Sequence, residues 1–241
     1  MLGDKAWSEK YQQRQLNTKW ALVRAGFAHY AIKMYLAIGS IGLVAFVAIG
    51  GNPAALLLAV LLTGLFYPLV EYTLHRFVLH SKLLYRNPIT APIWRRLHYD
   101  HHMKPTNLAV LFASPMTSVP LLLVLAAIPG TIVDLKGLFP AMITTNFLMF
   151  TYYEFMHASA HLKLGFHSRW IASHKQSHLR HHFICETQNY GIGTQLMDKI
   201  AGTADPSPHH SSTVRNLGYD DQAAETYPWV RDGYERDYGA V

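Results

Sequence analysis

Cysteine is almost missing from this 241-residue chain. Cys185 is the single one, which excludes an internal disulfide and every zinc motif built on paired thiolates. It fits a reducing, cytosolic setting for that part of the chain. Charge is scarce as well, at 15% of residues, and acidic side chains are the scarcer sign, 15 against 21 lysines and arginines. There is no Gly-rich phosphate loop and no aromatic RNA-binding strand pattern, and the basic residues flank apolar stretches, so nucleic acid is not an expected partner. Residues 1–29 carry Lys5, Lys10, Arg14, Lys19 and Arg24 without a short apolar core and small-residue cleavage site, and so do not read as a signal peptide.

What the chain has in excess is apolar length: half of its residues are hydrophobic, gathered into runs. Four runs lie at about residues 31–50, 54–72, 108–128 and 138–155. Each is about 20 residues, the length of helix that crosses a hydrocarbon core of roughly 30 Å. Gly51-Asn52-Pro53 and residues 129–137 are short breakers, so the runs are expected to form two antiparallel hairpins. Pro115 and Pro120 are expected to bend the third helix without stopping it. Lysines and arginines crowd the N-terminal arm, the segment between hairpins and the segment after the fourth run, while the two turns hold only Lys136. By the positive-inside rule the turns face out and the other three segments face the cytoplasm. The expected fold class is therefore all-α, a multi-pass membrane protein with four transmembrane helices in two hairpins. A single domain spans residues 1–203, with an N-terminal arm at 1–30. Residues 204–241, opened by Asp205-Pro206-Ser207-Pro208, are expected as an extended cap or partly disordered tail.

Ten of the fifteen histidines fall in four clusters on the predicted cytoplasmic side. They are His75 and His80; His98, His101 and His102; His157 and His161; and His178, His181 and His182. Histidines at i, i+3 and i+4 share one side of a helix, whereas adjacent rings diverge by about 100° and suit two different metals. His75 and His80, at i and i+5, would diverge by roughly 140° on an ideal helix, so the helix must unwind or end near Phe77 for them to converge. One ion rarely takes more than six ligands, so ten imidazoles argue for two ions. A thiol-free imidazole site suits iron, copper, nickel or zinc and disfavours calcium and magnesium. Two six-coordinate irons with five imidazoles each would leave one position open on each ion.

These motifs resemble the integral-membrane fatty acid hydroxylase/sterol desaturase superfamily, over about residues 70–203. The segment from Glu71 to His80 is most similar to the fatty acid 2-hydroxylases. So is His181-His182-Phe183 followed by Tyr190-Gly191-Ile192-Gly193-Thr194 and Asp198. Met197 stands where that family more often has Trp, and the His-Pro-Gly-Gly signature of a cytochrome b5 domain is absent. The resemblance implies a four-helix membrane anchor under a cytosolic helical cap, a His-ligated dimetal centre, and oxidation of an unactivated C–H bond. That bond has neither an acidic proton nor a leaving group, so a redox metal must supply the oxidant.

The expected function is that of a membrane-bound, O2-dependent di-iron lipid hydroxylase acting on an acyl chain near C2, with O2 as co-substrate and zinc able to occupy the sites in purified protein. One alternative keeps the centre and changes the outcome to desaturation or hydroxylation of a sterol, carotenoid or lipid head group. Another changes the class, to a zinc hydrolase or a non-catalytic metal-dependent lipid-binding protein. The site is placed on the cytoplasmic side of a bacterial inner membrane or the endoplasmic reticulum. Lacking haem, flavin and nicotinamide fingerprints, the chain is expected to take electrons from an external donor, a cytochrome b5 or a ferredoxin with its reductase. A basic face of Arg95, Arg96, Lys104, Lys175 and Arg180 is expected to dock that donor or to hold an anionic lipid surface. Glu71, Asp100 and Glu154 adjoin the clusters and are candidates to orient ring N–H groups, with ordinary interface charge as the plain alternative. His174, four residues before His178, is a candidate outer ligand; His29 and His167 read as interfacial or hydrogen-bonding residues, and His209 and His210 as a solvated pair.

Overall fold

The computed structural model describes residues 2–11, 16–165 and 168–238, and these form helices and loops with no strand among them. Arg14 and His167, and the side chain of Lys5, lie outside the described residues. Helix α1 (Leu2–Lys10) and α2 (Lys19–Ala28) form the arm. The arm packs into the fold, since Trp7 is buried in the core and its indole donates to the Ala25 carbonyl at 2.8 Å. Asp4 pairs with Arg96 at 3.2 Å and His29 at 3.3 Å.

Helices α3 (Tyr30–Ala48) and α4 (Pro53–Thr73) follow the first two apolar runs. His29 caps α3 by accepting from the Ala31 N–H. Asn52 caps α4 in the same way, with Pro53 at the first helical position, where its missing N–H costs nothing. The third run differs from expectation. Helix α7 covers Pro115–Ile132, after a short 3-10 turn at Leu108–Val110, so Pro115 starts the helix rather than bending it. Pro120 and Pro129 are accommodated inside. Helix α8 (Leu138–His161) is the longest.

Three helical stretches are long and apolar enough to cross a membrane: Tyr30–Ala48, Pro53–Leu79 and Leu108–Ile132. Helix α8 is not among them, and its place in the bundle explains why: α3, α4 and α7 all pack against it. Thr144 donates to the Gly39 carbonyl, Thr63 meets both Thr145 and Asn146, and Asn146 donates to the Leu122 carbonyl. A helix screened on three sides can carry polar glue that a lipid-facing helix cannot.

These contacts also set the directions. Gly39 lies by Phe147 and Gly42 by Pro140, so α3 runs antiparallel to α8. Thr63 meets Asn146 and Tyr67 meets Tyr153, so α4 runs parallel to it. Asn146 reaches Leu122 and Gly130 lies by Phe139, so α7 is antiparallel. Both inter-helix turns therefore sit at one end of the bundle, where the Asn52 N–H donates to the Lys136 carbonyl at 2.9 Å. Gly137, at φ +88°, permits that meeting, since a Cβ there would come within 2.9 Å of Gly51 and Phe46.

The opposite end carries α5 (Ala91–Trp94), α6 (Asp100–Met103), α9 (Arg169–Phe183), α10 (Leu196–Ile200), α11 (Asp221–Thr226) and α12 (Trp229–Tyr238). Residues 204–238, expected as an extended cap or partly disordered tail, are helical in part and well packed. Leu217, Tyr219, Val230 and Tyr234 close a second core over Tyr85, Trp94 and Tyr99.

Candidate metal centre

Helix α4 does not end where its apolar run does. It passes into a π-helical turn at Leu74–Leu79, in which the His80 N–H donates to the His75 carbonyl five residues back. That wider winding is the unwinding the i, i+5 spacing requires, and it brings the two Nε2 atoms to 3.2 Å. A second π turn, Arg95–Tyr99, runs into α6 and contains His98. The last turn of α8 supplies His157 and His161, and α9 supplies the remaining three histidines.

The ten histidines gather in two groups of five. His75, His80, His98, His102 and His181 form one, and His101, His157, His161, His178 and His182 the other. Within each group, one ligand atom from every ring lies within 4.8 Å of all the others. Members at i and i+4 share a group, whereas His101 and His181 cross over from their neighbours. The divergence of adjacent rings on a helix has that consequence. In the first group His80 Nε2 is 2.7 Å from His98 Nε2. In the second, His101 Nε2 is 2.8 Å from His157 Nε2 and 3.0 Å from His161 Nε2, which lies 2.8 Å from His178 Nε2. Two nitrogens bound at right angles to one ion at about 2.1 Å would stand about 3.0 Å apart, so this spacing fits a coordination shell. The His102 and His182 rings stack at 4.0 Å where the groups meet.

The electrostatics agree with that use. Burial holds His98, His101, His178, His181 and His182 well below the ordinary imidazole range, neighbouring imidazoles adding to the effect, and it pushes His102 down to about 3. The rings are therefore neutral, the form that ligates metals. Nδ1 of His75, His102 and His181 lies 2.5, 2.9 and 2.8 Å from the carbonyls of Tyr190, Val214 and Gln188. Donating there fixes the tautomer and leaves each Nε2 a free lone pair. Nε2 of His102 and His181 and both nitrogens of His182 are buried without a hydrogen-bond partner. Buried lone pairs this close are unfavourable alone and complementary to a cation.

The groups that orient His75, His102 and His181 are main-chain carbonyls, which the sequence does not display. The carboxylates singled out from the sequence sit elsewhere. Glu71 accepts from the N–H groups of Ile192 and Gly193, and Glu154 from that of Ala113. Asp100 pairs with Arg95 at 3.1 Å. None of the three contacts a ring N–H directly in the described hydrogen bonds. The His174 ring lies against that of Trp170, tilted at 44° with centroids 4.1 Å apart, and faces the Trp170 carbonyl, outside both groups. A residue not assigned an orienting role from the sequence is Asp198, which accepts from the N–H groups of Tyr190 and Gly191 and from the Thr203 hydroxyl. Asp198 and Glu71 together clamp the loop that presents the Tyr190 carbonyl to His75.

The expected basic docking face needs correction. Arg95 is buried between Asp100 and Asp237, and Arg96 is held by Asp4 and the Phe112 carbonyl. Lys175 donates to the Ser159, Leu162 and Leu164 carbonyls at the end of α8, and Lys104 lies over the Tyr234 and Tyr238 rings. These four charges are used inside the fold, while Arg180, the fifth, is half-buried on α9.

The fatty acid hydroxylase family model matches residues 57–203, which contain both histidine groups. The chain belongs to the fatty acid hydroxylase family. It is 33% identical over 149 residues to a dihydroceramide fatty acyl 2-hydroxylase of Arabidopsis thaliana, covering 57% of this chain and 56% of the relative. With the fatty acid 2-hydroxylase of Mus musculus it shares 27% over 154 residues, 61% of this chain and 39% of that one. With a ceramide very long chain fatty acid hydroxylase of Schizosaccharomyces pombe it shares 29% over 167 residues, 65% and 45%. The match thus spans about two-fifths to just over half of these relatives. Among solved structures, the visible hydroxylase domain of full-length scs7p shares the fold, with a TM-score of 0.61 at 20% identity over 81% of this chain and 70% of that chain.

In this member of the hydroxylase family a cavity of about 490 Å³ opens beside the histidine end. Its walls come from α4 (Val70), the π turn that follows it (Leu74), α7 (Leu121, Leu125) and Leu97, and Glu71 and Tyr153 also line it. The Tyr153 ring stacks on that of His157 at 6.1 Å, so the cavity's edge lies one ring away from the second group. A smaller cavity of about 270 Å³ shares Tyr67, Val70 and Leu125 with it and extends along the bundle to Ile128 and Met142.

Proposed function

We propose that this chain is a membrane-bound, O2-dependent di-iron hydroxylase that inserts one oxygen atom into a lipid acyl chain near C2. The observation that carries this reading is the pair of buried five-histidine groups beside an apolar cavity. The family supports lipid hydroxylation, and the names of the relatives support position 2. On this reading α8 is the fourth membrane span, the helices form two hairpins, and the histidine end faces the cytoplasm under a helical cap.

The ten histidines would hold two irons, five to each, which leaves one position open on each for O2. Bound iron supplies the one-electron and O2 chemistry that an unactivated C–H bond demands. The chain's own residues do the rest. Neutral imidazoles fixed by the Tyr190, Gln188 and Val214 carbonyls set the ligand geometry. The apolar walls of Val70, Leu74, Leu97 and Leu125 hold the acyl chain and exclude water. Electrons come from an external donor, a cytochrome b5 or a ferredoxin with its reductase.

The test is mass spectrometry of lipids from cells with and without expression of the chain. A gain of about 16 Da located at C2 of an acyl chain is expected, and it should vanish without O2. A loss of about 2 Da would reassign the reaction to desaturation, and no O2-dependent change in any lipid would overturn the oxygenase reading.

A further inference from the structure

The segment that links α4 to α5 has a surface that the metal site does not explain. Tyr85, Ala91 and Trp94 face the second core, while Leu83, Ile89 and Ile93 are 71%, 79% and 44% exposed. Beside them, Lys82 and Arg86 are exposed too. From Tyr72 to Tyr99 the chain has no acidic residue at all. Water-exposed leucine and isoleucine alternating with exposed cations is the composition of a segment lying in a membrane interface.

Its position says which surface it meets. Ile93 and Met116, the latter 88% exposed, also line the large cavity, so they form its rim. That rim opens between the end of α4 and the start of α7, next to Leu121 of α7, which lines the cavity and is itself exposed. The apolar surface of the spans thus continues through the rim onto the linking segment. A mouth surrounded by apolar side chains faces acyl chains more favourably than water.

We propose that residues 82–93 lie in the headgroup layer of an anionic lipid leaflet, with Leu83 and Ile89 dipping beneath it, and that they keep the cavity mouth at Ile93 and Met116 submerged so that substrate enters sideways from the bilayer. This rests on the chain being membrane-embedded. It names the substrate's source as one leaflet rather than a soluble carrier. An acidic electron carrier is the competing occupant, and exposed isoleucine and leucine between the cations favour lipid over a polar protein partner.

The experiment uses the full chain, Cys185→Ser, in nanodiscs of phosphatidylcholine with and without phosphatidylglycerol. Single cysteines at Leu83 and Ile89 carry spin labels, with Leu57 on the lipid-facing side of α4 and Gln222 on α11 as references. Labels at 83 and 89 should be relaxed by O2 and protected from a water-soluble nickel chelate, as at 57, and more strongly in the anionic discs. Chelate access at 83 and 89 equal to that at 222, with 57 protected, would overturn the proposal while leaving the membrane reading intact; access at 57 as well would overturn that reading. Protection that needs an added acidic carrier would also overturn it. Leu83→Asp with Ile89→Asp should raise KM about fivefold or more for substrate supplied in vesicles, with kcat unchanged, since the pair lies outside the cavity. A fall in kcat at unchanged KM would count against the proposal.

Discussion

At the scale of single residues, the histidines divide by what surrounds their nitrogens. His182 is buried, stacks on His102, and has no hydrogen-bond partner on either nitrogen. His209 and His210 are exposed. Removing a ligand should lower the affinity of its whole group, because the rings act on a shared ion. Thus His98→Ala, His161→Ala and His182→Ala should each lower bound metal by at least one ion per chain in elemental analysis and abolish turnover, while His209→Ala and His210→Ala change neither. Near-normal turnover by any of the first three, reconstituted with iron, would break the ligand assignment. Arg95 makes a different kind of prediction. It lies between two carboxylates, both within 3.1 Å, and only 7% of its side chain is exposed. Arg95→Ala leaves Asp100 buried without its partner, which should destabilise the cap by roughly 3–5 kcal/mol and lower Tm accordingly. A Tm within a degree or two of the parent would show that the pair is not structural. The histidine clusters were legible in the sequence because ligand spacing is a local property. The partners of Arg95 and of the His75, His102 and His181 ring N–H groups were not, since Asp237 lies 142 residues away and the atoms that orient those three rings are main-chain oxygens.

At the scale of elements, the legible part is again what periodicity encodes. The apolar runs foretold α3 and α4 nearly to their ends, and the i, i+5 spacing of His75 and His80 demanded an unwound turn, which is the π-helical one. The start of α7 was misjudged, because a proline reads equally well as a kink or as a first helical residue until its neighbours are known. The packed state of residues 204–238 was hidden for another reason. Its Pro, Asp and Gly content resembles disorder, and only contact with Tyr85, Trp94 and Tyr99 makes Tyr219 and Tyr234 core residues. The loop at residues 190–193 gives the element-scale prediction. Both oxygens of Asp198 accept from that loop, at 2.9 Å from the Tyr190 N–H and 2.7 Å from the Gly191 N–H. Asn at this position would turn one acceptor into a donor and free the loop, so the Tyr190 carbonyl would drift from His75. Asp198→Asn should weaken metal binding about 10- to 100-fold in chelator competition with all ten histidines in place. An unchanged affinity would mean that the loop is held by Glu71 alone.

At the scale of the whole molecule, the question is which end of the bundle faces which side. The directions of α3, α4 and α7 relative to α8 put both turns at one end and all four histidine clusters at the other. The turn end carries Lys136 as its single cation, whereas the histidine end and the arm hold most of the rest. Insertion keeps the lysine-rich end in the cytoplasm, so the turns should be outside. Cysteine accessibility in intact cells tests this in a Cys185→Ser background. Asp134 and Ser173 are both exposed, so a difference in labelling between them reports the side of the membrane rather than burial. Asp134 is the better outer probe than Asn52, because Asn52 caps α4 and its loss would cost about 1 kcal/mol. A membrane-impermeant maleimide should label Asp134→Cys in intact cells, and Ser173→Cys only after permeabilisation. Labelling of Ser173→Cys from outside would invert the molecule. It would place the histidine groups, and any electron donor that serves them, on the other side of the membrane from the reducing compartment that the lone thiol suits.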